Sequence, residues 1–293
     1  MKILLTGKNG QVGFELNKKL KVFGEVFATD YEELDLSNPD SIRKFIAKIK
    51  PDIIINPAAY TAVDKAESEP ELAYKLNTAA PKILAEKAEK LNIPFIHFST
   101  DYVFDGLKKG PYSEEDKTNP QSVYGKTKCE GEEAVRKHSK HIILRTSWVF
   151  GSHGNNFIKT ILKLIQEKES LGIVSDQWGS PSSASMLADV TYKIIKQMIE
   201  TQSFHNYGTY HITTEGETNW HQYSVFIASE AMRLGLKLKI DPSKIKPLLT
   251  SDYPTPAKRP LNSRLNTDKI KKTFIIELPF WEKEVSEVIR KLV

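Results

Sequence analysis

The chain has 293 residues, of which 40% are hydrophobic and 27% charged, and its formal net charge at pH 7 is +5. This composition is typical of a globular protein that buries a full α/β core and has room for a smaller appendage. The single cysteine excludes a disulfide-stapled fold, and no apolar run reaches the length of about 18 residues that a membrane span needs.

We expect neither a targeting segment nor a segment that binds nucleic acid or membrane. The segment that starts at Met1 has too short an apolar part for a signal peptide, so we expect a cytoplasmic protein. No zinc-finger spacing, aromatic RNA-binding signature or basic block is present, and we expect neither nucleic acid nor a membrane as partner. The seven histidines show no metal-ligand spacing, so no catalytic metal is predicted from them.

The first predicted strand, Lys2 to Thr6, enters a glycine-rich turn that leads into a helix. Small residues let a backbone approach a pyrophosphate, and a helix N-terminus offers unpaired amides. The glycines stand at positions 1, 4 and 7 of the turn, whereas the usual dinucleotide fingerprint has them at 1, 3 and 6, so a plain tight turn is an equal alternative. The candidate cofactor residues here are Gly7, Gly10, Gln11, Val12 and Gly13.

The second predicted strand, Glu25 to Asp30, ends in a carboxylate 23 residues after Gly7. This is where a ribose-binding acid belongs in a dinucleotide-binding unit. Asp30 favours the free 2′-hydroxyl of NADH, while the nearby Lys8 tolerates the 2′-phosphate of NADPH, so the choice between the two cofactors stays open. A helix is predicted from Pro39 through Lys50, with Asn38 or Ser37 as its cap.

Two further strands end in small or polar residues. The apolar strand 52–56 runs into Pro57, Ala58 and Ala59, and the strand 94–98 runs into Ser99, Thr100, Asp101 and Tyr102. A helix from residue 69 to 91, interrupted near 77–81, lies between them. Alternation of this kind predicts a doubly wound parallel sheet of the Rossmann type, with its ligand site beyond the carboxyl ends of the strands.

Tyr124 and Lys128 stand four residues apart in the next predicted helix, which places both side chains on one face. A lysine ammonium beside a tyrosine hydroxyl favours the phenolate and makes the phenol a better proton donor to a carbonyl oxygen, especially next to a cationic cofactor. By itself the pair is a weak signal, because eleven tyrosines in a lysine-rich chain produce this spacing by chance, as at Tyr192 and Lys196.

Beyond Gly151 the regular alternation ends. Helices are predicted at 156–168, 184–200 and 220–234, with a short strand at 210–212. We therefore expect a dinucleotide-binding domain over residues 1–151, with the helix 184–200 packing back on it, and a smaller substrate-binding α/β lobe over 152–293.

Two further features have open interpretations. Trp148 follows the strand predicted at 141–145 and is either a core residue or a wall for a sugar or base. Arg259 and Arg264 lie in a proline-stiffened loop, where they suit a diphosphate clamp or are merely solvated.

These residues together resemble the extended short-chain dehydrogenase/reductase family. The resemblance accounts for the unusual glycine spacing, and it rests on the blocks Thr6 to Gly13, Ala62 to Glu67, Ser99 to Phe104, Val123 to Lys128, Arg145 to Trp148 and Arg259 to Asn266. It implies reduction of the C4 ketone of a nucleotide sugar, dTDP-4-dehydro-L-rhamnose, to dTDP-L-rhamnose by NADPH or NADH.

The resemblance also implies residue roles. Tyr124 donates the proton, Lys128 holds the nicotinamide ribose and lowers the tyrosine pKa, and Thr100 binds the substrate oxygen. Implied cofactor positions are Gly10, Gln11, Val12, Asp30, Asp35, Leu36, Ala59, Tyr60 and Thr61. Implied sugar-pocket positions are Val63, Asp101, Tyr102 and Trp148, with Arg259 as a further substrate residue.

Some family members are dimers bridged by magnesium through glutamates, and Glu15 matches one such position. No glutamate stands near Ser185 and Met186, where a second is expected, so we do not expect Mg²⁺ here and leave a homodimer open. The rival functions are a nucleotide-sugar dehydratase or epimerase and a non-catalytic NADP-binding regulatory subunit. A dehydratase needs Glu after Asp101, where this chain has Tyr102.

Overall fold

Residues 1–293 are all described by the structure, a computed structural model. The strands are β1 (Lys2–Leu5), β2 (Glu25–Ala28), β3 (Ile53–Asn56), β4 (Phe95–Thr100), β5 (His141–Thr146), β6 (Val149–Phe150), β7 (Gly172–Val174), β8 (Trp178–Gly179), β9 (Ser182–Ser183), β10 (Gly208–His211), β11 (Thr218–Asn219) and β12 (Lys246–Leu248). The α-helices are α1 (Gln11–Lys19), α2 (Pro39–Ile49), α3 (Val63–Ala66), α4 (Pro70–Tyr74), α5 (Ala80–Leu91), α6 (Val123–Val135), α7 (Phe157–Glu167), α8 (Ala184–Glu200), α9 (Trp220–Arg233), α10 (Asp268–Phe274) and α11 (Trp281–Leu292).

Six parallel strands form the central sheet in the order β2-β1-β3-β4-β5-β10. From β1 the chain first adds β2 on one side and then β3 on the other, so the strand order reverses between β1 and β3. Open sheets bind ligands beyond the carboxyl ends of the strands at such a switch point. The predicted doubly wound parallel sheet is therefore confirmed.

Burial on both faces explains the composition of the central strands. All three isoleucines of β3 are buried, as a strand covered by helices on both sides requires. One sheet face packs against α1, α8 and α10, and the other packs against α2 and α5. Helix α2 begins where its predicted cap stands, since the Asn38 side chain accepts hydrogen bonds from the amides of Asp40 (3.0 Å) and Ser41 (3.3 Å).

A second apolar core lies between α7, α9 and α11, with Ile161, Ile227 and Val285 at 0% exposure. The C-terminal half also contributes to the first core, because α8 packs on α1 and β10 pairs with β5 in the main sheet. The strand expected at 210–212 thus completes the central sheet. A division into domains at residue 151 stays a prediction.

The predicted helix from Glu69 to Leu91 has no break near Asn77. Helix α4 continues through a π-helical turn, Lys75–Ala79, directly into α5. The turn directs the buried Asn77 side chain at the loop after β3, where it bonds both the amide (2.8 Å) and the carbonyl (3.2 Å) of Tyr60. Such turns are frequent at functional sites, and this one fixes the loop that begins at Pro57.

None of the helices combines the length and the apolar character that crossing a bilayer requires.

Candidate active site

A cavity of about 900 Å³ lies at the carboxyl ends of the central strands and extends to helix α9. Every residue predicted to bind cofactor or substrate lines it, except Lys8, Asp35, Tyr60, Arg259 and Arg264. The cavity therefore brings together the glycine turn after β1, the ends of β4 and β5, and the start of α6.

The glycine turn forms one end of the cavity. Gly7 has a φ of +62°, and a Cβ at Gly13 would lie 2.0 Å from the Gly7 carbonyl oxygen, so neither position accepts a larger residue. Helix α1 starts here without a side-chain cap, which leaves its first amides free for a ligand. This cradle is that of a phosphate-binding turn, because amides and a positive helix end face the space a pyrophosphate would fill.

Asp30 borders the same end of the cavity. Its carboxylate accepts hydrogen bonds from the amides of Asn9 (3.1 Å) and Tyr31 (2.8 Å), which fixes its position beside the turn. Lys8 is paired with Glu33, whose other oxygen accepts from the Asp30 amide at 2.9 Å. Lys8, which we expect to tolerate a 2′-phosphate, is thus held close to Asp30, the carboxylate predicted to bind the ribose.

Tyr124 lies at the centre of the cavity lining, in the first turn of α6. Ser122 caps this helix through the amide of Gly125 (3.1 Å), and the ring of Tyr102 meets that of Tyr124 edge-on at 5.4 Å. Burial raises the pKa of Tyr124, an effect that the neighbouring Thr100 hydroxyl partly offsets. The predicted lowering of this pKa by Lys128 is therefore not found in the protein by itself.

Lys128 is 1% exposed, and its side chain reaches strand β4. Its Nζ donates to the carbonyl oxygen of Phe98 (2.6 Å) and lies 3.3 Å from Nε2 of His97. Burial lowers the pKa of Lys128 to about 8, against a small opposing effect of Glu132. At neutral pH the site thus holds an ammonium close to the point of losing its proton.

Thr100 and Asp101 end strand β4 next to the tyrosine. The Thr100 hydroxyl donates to Oδ1 of Asp101 at 3.0 Å, while the buried Oδ2 has no partner within the protein. Burial raises the pKa of Asp101 from 3.8 to about 6. Side-chain oxygens of Ser99, Thr146 and Tyr223 are also buried without partners, and all four residues line this cavity. Unpartnered buried polar atoms collected in one place fit a ligand rich in hydroxyl groups.

We expect replacement of Asp101 with asparagine to stabilise the fold at pH 8 but not at pH 3. Because the folded state raises the carboxyl pKa from 3.8 to about 6, stability is full below pH 3.8 and is lost as the pH rises through 6. The loss is on the order of 3 kcal/mol. Thermal unfolding across this pH range measures it.

The matched control for this prediction is Asp105→Asn. A hydrogen bond from Tyr112 lowers the pKa of Asp105, so its removal has the opposite sign and destabilises the protein above pH 4. A stability difference between wild type and Asp101→Asn that does not vary with pH would contradict the burial argument.

Trp148 forms the opposite wall. Its φ of +49° is strained for a residue with a side chain, and its ring stacks on Trp220 at a centroid distance of 3.6 Å. A Cβ at Gly179 would meet this ring at 2.7 Å, so a glycine is needed beneath it. The indole faces the cavity and is half-buried, which supports the interpretation of Trp148 as a wall over the interpretation as a core residue.

Six predicted residues lie outside the lining: Lys8, Asp35, Tyr60, Arg259, Arg264 and Glu15. Arg264 pairs with Glu217 at 3.2 Å. Asp35 accepts from the amide and hydroxyl of Ser37 within a turn, and the Tyr60 hydroxyl donates to Glu69 at 2.6 Å. Arg259 pairs with Asp64 (2.5 Å) and donates to the Tyr102 hydroxyl (3.1 Å). It therefore contacts a lining residue without lining the cavity itself. Glu15 pairs with Lys18, and no group of three or more potential metal ligands exists within the chain.

Other lining residues were not found from the sequence. Thr29, Ser147, Asn155, Phe157, Trp220 and Tyr223 all border the cavity. The last three belong to the cluster of aromatic residues on α7 and α9, and their helical spacing predicts core positions. No local signal separates a core aromatic residue from one that faces a ligand.

The family model described as RmlD substrate binding domain matches residues 1–293. The chain belongs to this family. A dTDP-4-dehydrorhamnose reductase of Shigella flexneri is 44% identical to it over 297 residues, covering 100% of this chain and 98% of the relative.

Two solved structures extend the likeness to the fold of this member of the RmlD substrate binding domain family. A dTDP-4-dehydrorhamnose reductase from Clostridium acetobutylicum has a TM-score of 0.91 and 41% identity, covering 100% of this chain and 99% of that one. One from Bacillus anthracis, in complex with NADP, has a TM-score of 0.89 and 32% identity, with 99% of each chain covered. The similarity therefore includes both the sheet and the lobe of α7, α9 and α11.

Proposed function

We propose that this chain reduces the C4 ketone of dTDP-4-dehydro-L-rhamnose to the alcohol of dTDP-L-rhamnose, with NADPH or NADH as reductant, in nucleotide-sugar biosynthesis. The observation that carries this proposal is the meeting of Tyr124, Thr100 and Lys128 in the cavity that the glycine turn closes. The relative of 44% identity, which is named for this reaction, supports the choice of substrate.

The residues present fit a dinucleotide cofactor. Gly7 to Gly13 and the uncapped start of α1 would hold the pyrophosphate, Asp30 would hold the adenine ribose, and Lys128 would hold the nicotinamide ribose. When bound, the reduced nicotinamide supplies a hydride to the ketone carbon.

The protein's part of the chemistry is proton supply. Addition of hydride to carbon leaves the negative charge on the former ketone oxygen, which takes the phenolic proton of Tyr124. Burial raises the pKa of this tyrosine, so the hydroxyl is protonated at neutral pH but is a weaker acid than a phenol in water. Thr100 would donate a hydrogen bond to the same oxygen in place of its present bond to Asp101, and the Lys128 charge would stabilise the phenolate left behind.

The opposite wall would bind the sugar ring. Trp148 offers an apolar face, and Asp101 offers an unpartnered oxygen for a sugar hydroxyl. A dehydratase is disfavoured because Tyr102 follows Asp101, and burial raises the Tyr102 pKa to about 12, too high for a general base near pH 7.

The direct test is loss of reduced-nicotinamide absorbance when the purified protein meets enzymatically generated dTDP-4-dehydro-L-rhamnose, with NADPH and NADH compared. We expect oxidation of cofactor in equal amount to the dTDP-L-rhamnose formed. Cofactor binding without oxidation would instead support a regulatory subunit.

Replacing Asp30 with alanine is expected to weaken NADH binding roughly tenfold and NADPH binding much less, because only the free 2′-hydroxyl gains from this carboxylate. Fluorescence titration with each cofactor measures the two losses. Asp35→Ala is the matched control, since this nearby carboxylate bonds Ser37 and does not line the cavity. Equal losses for both cofactors would place ribose recognition elsewhere.

A further inference from the structure

A buried histidine lies beneath Lys128 and has no part in the chemistry described so far. His97, on β4, is 0% exposed, and its Nε2 lies 3.3 Å from the lysine Nζ. Its other ring nitrogen, Nδ1, lies 3.0 Å from the side-chain amide nitrogen of Asn56, whose amide oxygen accepts from the Thr6 hydroxyl at 2.5 Å. The chain of contacts therefore runs from β1 through β3 and β4 to the active-site lysine.

The contact with His97 uses one of the few N–H bonds that the Lys128 ammonium has. Lys128 has three N–H bonds when charged. One is taken by the Phe98 carbonyl oxygen at 2.6 Å, and a second points at His97. One N–H is then left for the cavity that Lys128 lines.

We propose that His97 is a positioning residue for Lys128: its Nε2 accepts one N–H of the ammonium and thereby directs the remaining N–H at the reacting groups. This inference rests on the proposed function, because it assigns a role within the same site.

The hydrogen-bond chain fits both charge states of the lysine. With the ammonium, Nε2 accepts and Nδ1–H donates to the Asn56 amide oxygen. With the neutral amine, Nε2–H donates to Nζ, and Nδ1 accepts from the Asn56 amide nitrogen, which is the amide orientation in this structure. A neutral imidazole has one donor and one acceptor nitrogen, so a change of tautomer and a flip of the Asn56 amide convert one state into the other.

The charges around the pair make Lys128, and not His97, the group that titrates. Burial and the Lys128 charge hold the pKa of His97 well below its usual value, so the imidazole stays neutral. Glu132, on the same helix, favours the ammonium, and its own charge is matched by Arg145 from β5. Asp101 and Tyr102, which follow β4, and Tyr124 are the other titratable groups at this end of the sheet, and their charges act on one another.

The test compares His97→Leu with His97→Gln, whose amide oxygen can accept at the position of Nε2. The pH profile of kcat/KM reports groups of the free enzyme. In His97→Leu we expect kcat/KM to fall roughly ten- to hundredfold, as for loss of a hydrogen bond to a charged group, and its alkaline limit to move about one pH unit lower. In His97→Gln we expect kcat/KM and its alkaline limit to lie close to the wild-type values.

His211→Leu is the matched control, because this equally buried histidine lies against Arg145 (3.5 Å) and does not touch Lys128. Thermal unfolding shows which variants fold. The inference is overturned if folded His97→Leu keeps the wild-type profile, or if folded His97→Gln behaves like His97→Leu. In both cases turnover of the sugar nucleotide by the wild-type protein would leave the proposed function intact.

A second measurement needs no turnover. Side-chain ¹⁵N shifts distinguish the two imidazole tautomers, and the spectrum of His97→Gln assigns the His97 signals. We expect the Nδ1–H tautomer at pH 6.5 and the Nε2–H tautomer above the Lys128 pKa of about 8. A single tautomer across pH 6 to 10 would overturn the inference even if the protein turned out not to be a reductase.

Discussion

Replacing Tyr124 with phenylalanine is expected to lower kcat by about two to four orders of magnitude and to leave cofactor affinity nearly unchanged. The substitution removes the one hydroxyl that we assign as the proton donor. It keeps the ring that packs edge-on against Tyr102, so the fold and the shape of the cavity are preserved.

The kinetic pattern distinguishes loss of chemistry from loss of binding. A group that acts mainly in the transition state lowers kcat and kcat/KM together. We therefore expect KM for the sugar nucleotide to change little. Stopped-flow measurement of a single turnover at saturating cofactor isolates the reduction step and is the measurement to make.

The chain supplies its own control in Tyr192→Phe. Tyr192 and Lys196 repeat the spacing of Tyr124 and Lys128, but they lie on α8, where the Tyr192 ring stacks on Phe23 outside the cavity. We expect wild-type turnover from this variant. If turnover by Tyr124→Phe is within threefold of wild type, Tyr124 is not the proton donor.

The sequence predicts the sheet and the group of residues that line one end of the cavity well because both depend on local patterns. Apolar runs with small residues at their ends predict strands and close ligand approach, and the glycine spacing predicts the turn before α1. Tyr124 and Lys128 share a helix face because they are four residues apart. None of these statements requires knowledge of contacts between distant parts of the chain.

The remaining features depend on such contacts. The sequence gives no sign that His97, 31 residues from Lys128, lies against its Nζ, or that β10 pairs with β5. The carboxylate of Asp35 is as suitable for a ribose as that of Asp30. Only its hydrogen bond with Ser37, which is visible in the structure alone, shows that it is used elsewhere. The Tyr124 pKa was expected to fall because a lysine is near in sequence, yet burial, which depends on the whole fold, raises it.

The second large effect is expected from Glu132→Gln, which should destabilise the fold by about 3 to 5 kcal/mol without touching the cavity lining. Arg145 is 1% exposed and makes two hydrogen bonds with Glu132, at 2.9 and 2.7 Å. Removal of the carboxylate charge leaves the guanidinium buried without an anion. Urea unfolding followed by tryptophan fluorescence measures the change in the free energy of unfolding.

The double variant Glu132→Leu with Arg145→Met tests the reason for this loss. If the cost comes from an unpaired buried charge, an apolar pair of similar volume should recover most of the lost stability. If the double variant is as unstable as Glu132→Gln, the hydrogen bonds that tie α6 to β5 contribute the stability themselves.

The pH dependence of Glu132→Gln provides an independent check with a defined sign. Burial would raise the pKa of Glu132, but the hydrogen bonds and charge of Arg145 outweigh it and hold this pKa below 4.5. A carboxylate whose pKa is lowered by folding contributes stability above its unfolded pKa and loses it as the pH falls through the folded value. The advantage of wild type over Glu132→Gln should therefore be constant from pH 8 to about 5 and shrink below pH 4. If wild type is more stable than Glu132→Gln by the same amount at pH 3, the carboxylate charge is not the source of this stability difference.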